Sequence, residues 1–146
     1  MNTPQFGISQ SGPERHAILG SFVKNLHKDY ITVLEVGSFE GQSALVWSVA
    51  IAAHCPGGGR VLCVDPWSSD YLDKYVGAGD VYRQMAAGLQ SGAVYERFLQ
   101  NTKLADPRVP IDSRRGSLKD HYHELLNGLR FDIVYLDGDH AAFAVR

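Results

Sequence analysis

Four short stretches carry the residue types that can grip a ligand. The first is Glu35-Val36-Gly37-Ser38-Phe39-Glu40-Gly41-Gln42-Ser43. A glycine directly after a strand permits a tight turn and close backbone approach to a ligand. Gly41 then opens a helix whose unpaired N–H groups point into the same space. Glu35, two residues before the first glycine, would press its charge against a bound pyrophosphate, so it suits a ligand with a cationic head. On this stretch alone a strand-to-helix turn with a surface Glu stays open.

The second stretch is Val61-Leu62-Cys63-Val64-Asp65-Pro66-Trp67. An acid at a strand end can accept hydrogen bonds from both hydroxyls of a ribose, and Trp67 can cover an adenine face by stacking. The plainer alternative is an Asp-Pro turn with a Trp packed beside it. In the third, Arg115-Gly116-Ser117, Ser117 can cap the following helix or meet an adenine edge, and the two roles can coexist. The fourth, Phe131-Asp132-Ile133-Val134-Tyr135-Leu136-Asp137-Gly138-Asp139-His140, ends a strand in acids and a histidine. Asp137 can bind a divalent cation, orient an acceptor or hold a cationic amine. His140 can serve as general base, since an ordinary imidazole titrates near neutrality; an Asp-Gly turn with an exposed His is the other reading.

These stretches need elements to position them. Pro13 to His27 has apolar residues at one helical face, and Ile31 to Val36 is a β-branched run ended by Gly37. Gly41 to His54 reads as a helix apolar nearly all round, stopped by Pro56 and three glycines. Strands are expected at 60–64, at 109–112 (an edge strand, because of Pro110) and at 131–136. Helices are expected at 81–89, 93–102 and 118–129, with a mobile loop over 66–80. Residues 1–12 read as a flexible arm, and 13–146 as one domain. Short apolar strands alternating with helices predict an α/β, Rossmann-like, doubly wound and mainly parallel sheet. Ligands bind such sheets at the carboxyl ends of the strands, where Glu35, Asp65 and Asp137 all fall.

The bulk properties exclude several classes. The 146 residues are 45% hydrophobic and 21% charged, with a formal net charge of -2. The basic residues are scattered, so there is no electrostatic footprint for nucleic acid or an anionic membrane. The N-terminus lacks a signal-peptide pattern, and the longest apolar stretch, 44–53, is too short to span a bilayer. Two cysteines, Cys55 and Cys63, make neither a metal pattern nor a disulfide framework. A cytoplasmic protein acting on a small molecule is expected.

Taken together, LEVGSFEGQSA, VLCVDPW, RRGSL and FDIVYLDGDH resemble, in that order, the class I S-adenosylmethionine-dependent methyltransferases, especially the small-molecule branch called methyltransferase family 24. The resemblance covers roughly Glu14 to Arg146. It implies the first four strands of the seven-stranded methyltransferase fold, with S-adenosylmethionine as cofactor and an O-linked methyl acceptor. By resemblance Glu35, Gly37, Ser38, Phe39 and Gly41, with Ser43 at the helix start, line the methionine and ribose side. Asp65 then takes the ribose, Trp67 and Ser117 the adenine, and Asp137 a possible Mg2+ or other divalent cation. Asp137 and His140 are the catalytic candidates. Phe39 stands where many methyltransferases carry a middle glycine.

The chain stops inside the helix expected after the fourth strand, so a shortened protein is expected, or a homo-oligomer covering that apolar strand edge. A catalytically incomplete nucleoside-binding or assembly module is the alternative function. A nicotinamide-dependent oxidoreductase fits poorly, because Phe39 occupies the second glycine position of its fingerprint, and a phosphate-loop NTPase lacks its Gly-Lys-Ser/Thr segment.

Overall fold

Ile31–Val36 (β1), Gly59–Asp65 (β2), Ile111–Arg115 (β3) and Ile133–Leu136 (β4) form one sheet in the order β3-β2-β1-β4. The structure is a computed structural model, which describes residues 3–8, 12–70, 72 and 79–138. Every pairing is parallel. The two central strands are covered on both faces, which is why their sequences read as continuous apolar runs. From β1 the chain winds one way through β2 to β3, whereas β4 lies on the other side of β1. The crevice at the carboxyl ends of β1 and β4 is therefore the topological switch point of the sheet.

The helices are α1 (Pro13–Asn25), α2 (Gln42–His54), α3 (Asp80–Gln90), α4 (Ala93–Thr102) and α5 (Tyr122–Gly128). On one face Leu19 and Val23 of α1, Trp47 and Ile51 of α2 and Phe98 of α4 pack with Val33 and Val61 of the sheet. On the other, Leu125 of α5 meets Leu34, Leu62 and Val64. The sheet is thus wound on both sides, as the alternation of elements predicts. Among the described residues no helix is long and apolar enough to cross a membrane. Val134 and Leu136, on the edge strand β4, are exposed.

Three details differ from expectation. Strand β3 starts at Ile111 rather than Val109, because Pro110 has no N–H for the ladder; its carbonyl instead accepts from Val61 N at 3.0 Å. The helix expected over 118–129 is divided. Ser117 and Asp120 form a reciprocal capping box around a 3-10 turn, Leu118–His121, before α5 begins. The N-terminal arm is docked over residues 3–8: Gln5 N donates to Asn101 Oδ1 and Gln5 O accepts from Asn101 Nδ2, both at 2.9 Å. Of the 66–80 loop, residues 71 and 73–78 lie outside the described residues, as do Asp139 and His140.

Candidate functional site

The strand ends at the switch point are locked to one another through backbone. Gly37 N donates to Val64 O at 2.9 Å, and Asp137 N donates to Val36 O at 2.8 Å. Gly37 sits at φ +89°, and a Cβ there would lie 2.6 Å from Asp137 O and from the backbone of Gly138. Only glycine meets both demands, left-handed backbone and close approach. Gly41, at φ +82°, turns the chain into α2, whose first residues face the same crevice. Phe39 between them is also left-handed, at φ +48°, and is buried.

Beneath this loop lies Glu35, with 0% exposure, and neither of its carboxylate oxygens has a hydrogen-bond partner among the described residues. Burial pushes its pKa up from 4.5 to about 7, and the charge of Asp137 adds to the effect. Ser38, Ser43 and Trp47 lie near enough to relieve it in part, yet none closes a well-formed bond to it. Ser38 Oγ and Trp47 Nε1 are likewise buried without a partner. Buried polar atoms are paired in the great majority of native structures, and a cluster of exceptions under a cleft marks a place for something else to bind.

Above Glu35 the cleft is lined by Gly37, Ser38, Phe39, Gln42, Ser43 and Asp137, with Arg15 from α1 and Phe6 and Ile8 from the arm. Its empty space, open solvent included, is about 310 Å³. Glu40 fastens the arm to the loop. Its carboxylate, 2% exposed, accepts from Gly7 N at 2.7 Å and pairs with Arg97 Nη1 at 2.6 Å, while its carbonyl accepts from Asn101 Nδ2 at 2.9 Å. Asp137 is ion-paired with the Arg15 guanidinium, which also donates through Nε to Tyr135 Oη at 2.8 Å.

The other expected residues lie elsewhere. Asp65 Oδ2 accepts from Ser38 N at 2.9 Å and Phe39 N at 3.0 Å, and Oδ1 from Trp67 N at 2.7 Å. Burial lifts its carboxyl above the usual range, partly offset by these three amides. Oδ2 is thus turned onto the loop that shapes the cleft, and Oδ1 onto the turn that follows β2. Trp67 is 1% exposed, packed on Tyr95 and Phe98 at 4.8 and 4.6 Å, and donates through Nε1 to Phe39 O at 2.8 Å. Its indole is buried against protein. Ser117 is exposed at the end of β3, where it caps the 3-10 turn, its hydroxyl 2.7 Å from Asp120 Oδ2. The structure therefore gathers Glu35, Gly37, Ser38, Phe39, Ser43 and Asp137 at the cleft, with Gly41 at its border.

Sequence reasoning did not single out Arg15, Glu40 or Asn101. Arg15 stands on a helix where a basic residue looks like solvent-facing surface, and Glu40 gains its partners from residues far along the chain. Among the described residues no three His, Cys, Asp or Glu gather, and Asp137 is ion-paired with Arg15.

The sequence profile described as a methyltransferase domain matches residues 34–146. Among solved structures, an O-methyltransferase from Bacillus cereus in complex with SAH superposes with a TM-score of 0.51 at 19% identity, over 89% of this chain and 46% of its own. A cofactor-bound protein from MTB gives 0.48 at 18% identity, over 92% of this chain and 47% of its own. The chain spans about half the length of these structures. No curated protein matches at a significant level.

Proposed function

The chain belongs to the methyltransferase domain family, and from that premise we propose that its cleft binds S-adenosylmethionine for methyl transfer to an oxygen of a small-molecule acceptor. The observation that carries the reading is Glu35, a fully buried carboxylate without a hydrogen-bond partner among the described residues, under a glycine-bounded loop. Leaving a charge-bearing group in that state costs stability, and a cationic ligand head supplies the missing partner. When bound, the cofactor supplies an electrophilic methyl group on a sulfonium.

The protein's own part is to hold and orient. Asp137 provides negative charge in the cleft lining and Glu35 beneath the loop, and the Ser38 hydroxyl provides a polar contact. Gly37 lets the backbone approach the ligand, and Phe39 walls it off. Alignment of this kind supplies on the order of 7–11 kcal/mol of barrier reduction. His140, three residues beyond Asp137, is the proposed base that takes the acceptor's proton, and the 66–80 loop the segment that excludes water. Asp65 and Trp67 act on the cofactor through the loop they shape.

Residues 13–146 form the cofactor-binding domain in this reading, with the docked arm completing its wall. The two free, buried cysteines accord with a reducing cytoplasm. A second copy covering the exposed Val134 and Leu136 on the β4 edge accords with the danger of an open apolar strand. Calorimetric titration with S-adenosylhomocysteine, with NAD as control, tests the reading. Saturable binding of the first alone is expected; binding of neither would overturn it.

A further inference from the structure

An amino-acid head carries a carboxylate as well as an ammonium, and Glu35 and Asp137 can serve only the ammonium. A cleft lined by acids alone would repel the other half of the same group. Arg15 is the one basic residue among the described residues lining it. Its guanidinium reaches over from α1, and it is held there by two different kinds of contact. One is ionic, to Asp137. The other is neutral, to the Tyr135 hydroxyl through Nε at 2.8 Å, with the guanidinium carbon 5.6 Å from the ring centroid. Tyr135 is itself braced edge-on by Trp47 at 5.6 Å.

We propose that Arg15 binds the carboxylate of the cofactor's amino-acid head, giving up Asp137 as the ligand enters. The inference rests on the cofactor reading above and names the residue that reads one end of that ligand. The exchange swaps one carboxylate for another on a fork-shaped cation suited to two parallel hydrogen bonds. Tyr135 keeps the guanidinium in place while its ionic partner changes. Asp137, released, faces the ammonium together with Glu35, so both charges of the head are matched. Until a ligand arrives, the Arg15–Asp137 pair keeps a cation and an anion from facing the cleft uncompensated.

The test is a cycle of two proteins against two ligands. S-adenosylhomocysteine and its decarboxylated analogue are titrated calorimetrically into the unmodified protein and into Arg15→Gln. The unmodified protein should bind the analogue about 10- to 100-fold more weakly, the range of a charged hydrogen bond. Arg15→Gln should weaken S-adenosylhomocysteine by a similar factor and no longer distinguish the two ligands. Arg15→Lys, which keeps the charge but loses the fork, should fall between. Two outcomes overturn the inference while the cofactor reading stands. In one, the unmodified protein binds both ligands equally. In the other, Arg15→Gln loses both in equal proportion, as a merely structural role would require. If the unmodified protein binds neither ligand, the cofactor reading itself falls and takes this inference with it. The ligand comparison on the unmodified protein decides the matter even if Arg15→Gln does not fold.

Discussion

Replacing Glu35 with Gln removes a charge from the interior while keeping the side chain's size, and the consequences are calculable. In the unfolded chain this carboxyl titrates near 4.5, and in the folded protein near 7, chiefly because burial penalises its charged form. Between those values the folded protein holds a proton that the unfolded chain has given up. The stability associated with Glu35 is therefore fully present below 4.5 and is lost as pH rises through 7. At about 1.4 kcal/mol per pH unit the loss amounts to about 3 kcal/mol. Gln does not ionise, so Glu35→Gln escapes the loss. At pH 8 it should be more stable than the unmodified protein by about 3 kcal/mol, a rise in Tm on the order of 10 °C. At pH 4 the two should nearly coincide. Thermal melts of both proteins across that interval give the answer, because every other titrating group is common to both and cancels in the difference. The same variant should lose most of its affinity for S-adenosylhomocysteine. If Glu35→Gln instead melts lower than the unmodified protein at pH 8, Glu35 is ionised and well partnered, and the reasoning is refuted.

Three further substitutions bear on the architecture. Gly37→Ala must force a side chain into left-handed backbone, costing roughly 1–2 kcal/mol, and against the Asp137 carbonyl 2.6 Å away. A lower denaturant midpoint and lost cofactor binding are expected; an unchanged midpoint would contradict the close packing. Trp67→Phe loses the bond to Phe39 O and leaves a cavity at a buried site, so stability should fall by more than the ~1 kcal/mol of that bond, with little change in S-adenosylhomocysteine affinity. A large loss of affinity at unchanged Tm would instead place the indole on the ligand. Asn101→Ala removes both bonds to Gln5 and the one to Glu40 O. Hydrogen exchange should then show the Gln5 amide unprotected, and continued protection would mean that the arm is held by other contacts.

The sheet was legible because parallel strands buried on both faces leave little choice of residue, as in Ile31-Thr32-Val33-Leu34-Glu35-Val36. A lone acid inside such a run stood out for the same reason, and the structure finds Glu35 fully buried. The position of Asp137 beside β1 followed from strand order alone. Strand β3 was harder. Ile-Asp-Ser-Arg-Arg has no apolar run, since an edge strand half open to water satisfies its polar side chains with partners such as Arg60 on Asp112. Trp67 was read by its chemistry, but its burial depends on Tyr95 and Phe98, about 30 residues further along the chain. Arg15 and Glu40 were missed on the same ground: local pattern does not encode which distant residue will meet a charge. The Ser117 cap, by contrast, is written locally, in an acid three residues on.

Asp65 gathers the amides of Ser38, Phe39 and Trp67, and the Trp67 indole returns a bond to Phe39, two residues that both hold left-handed backbone. The conformational strain of the ligand loop is thus carried by the folded protein at all times. A ligand arriving at the cleft meets a surface whose shape was decided when the chain folded. Ordering of the 37–41 loop should therefore add little to the conformational entropy of its association. Natural variation would then be least tolerated at a tryptophan and an aspartate turned away from the cleft, while residues in direct view of the ligand have more freedom to change what is bound.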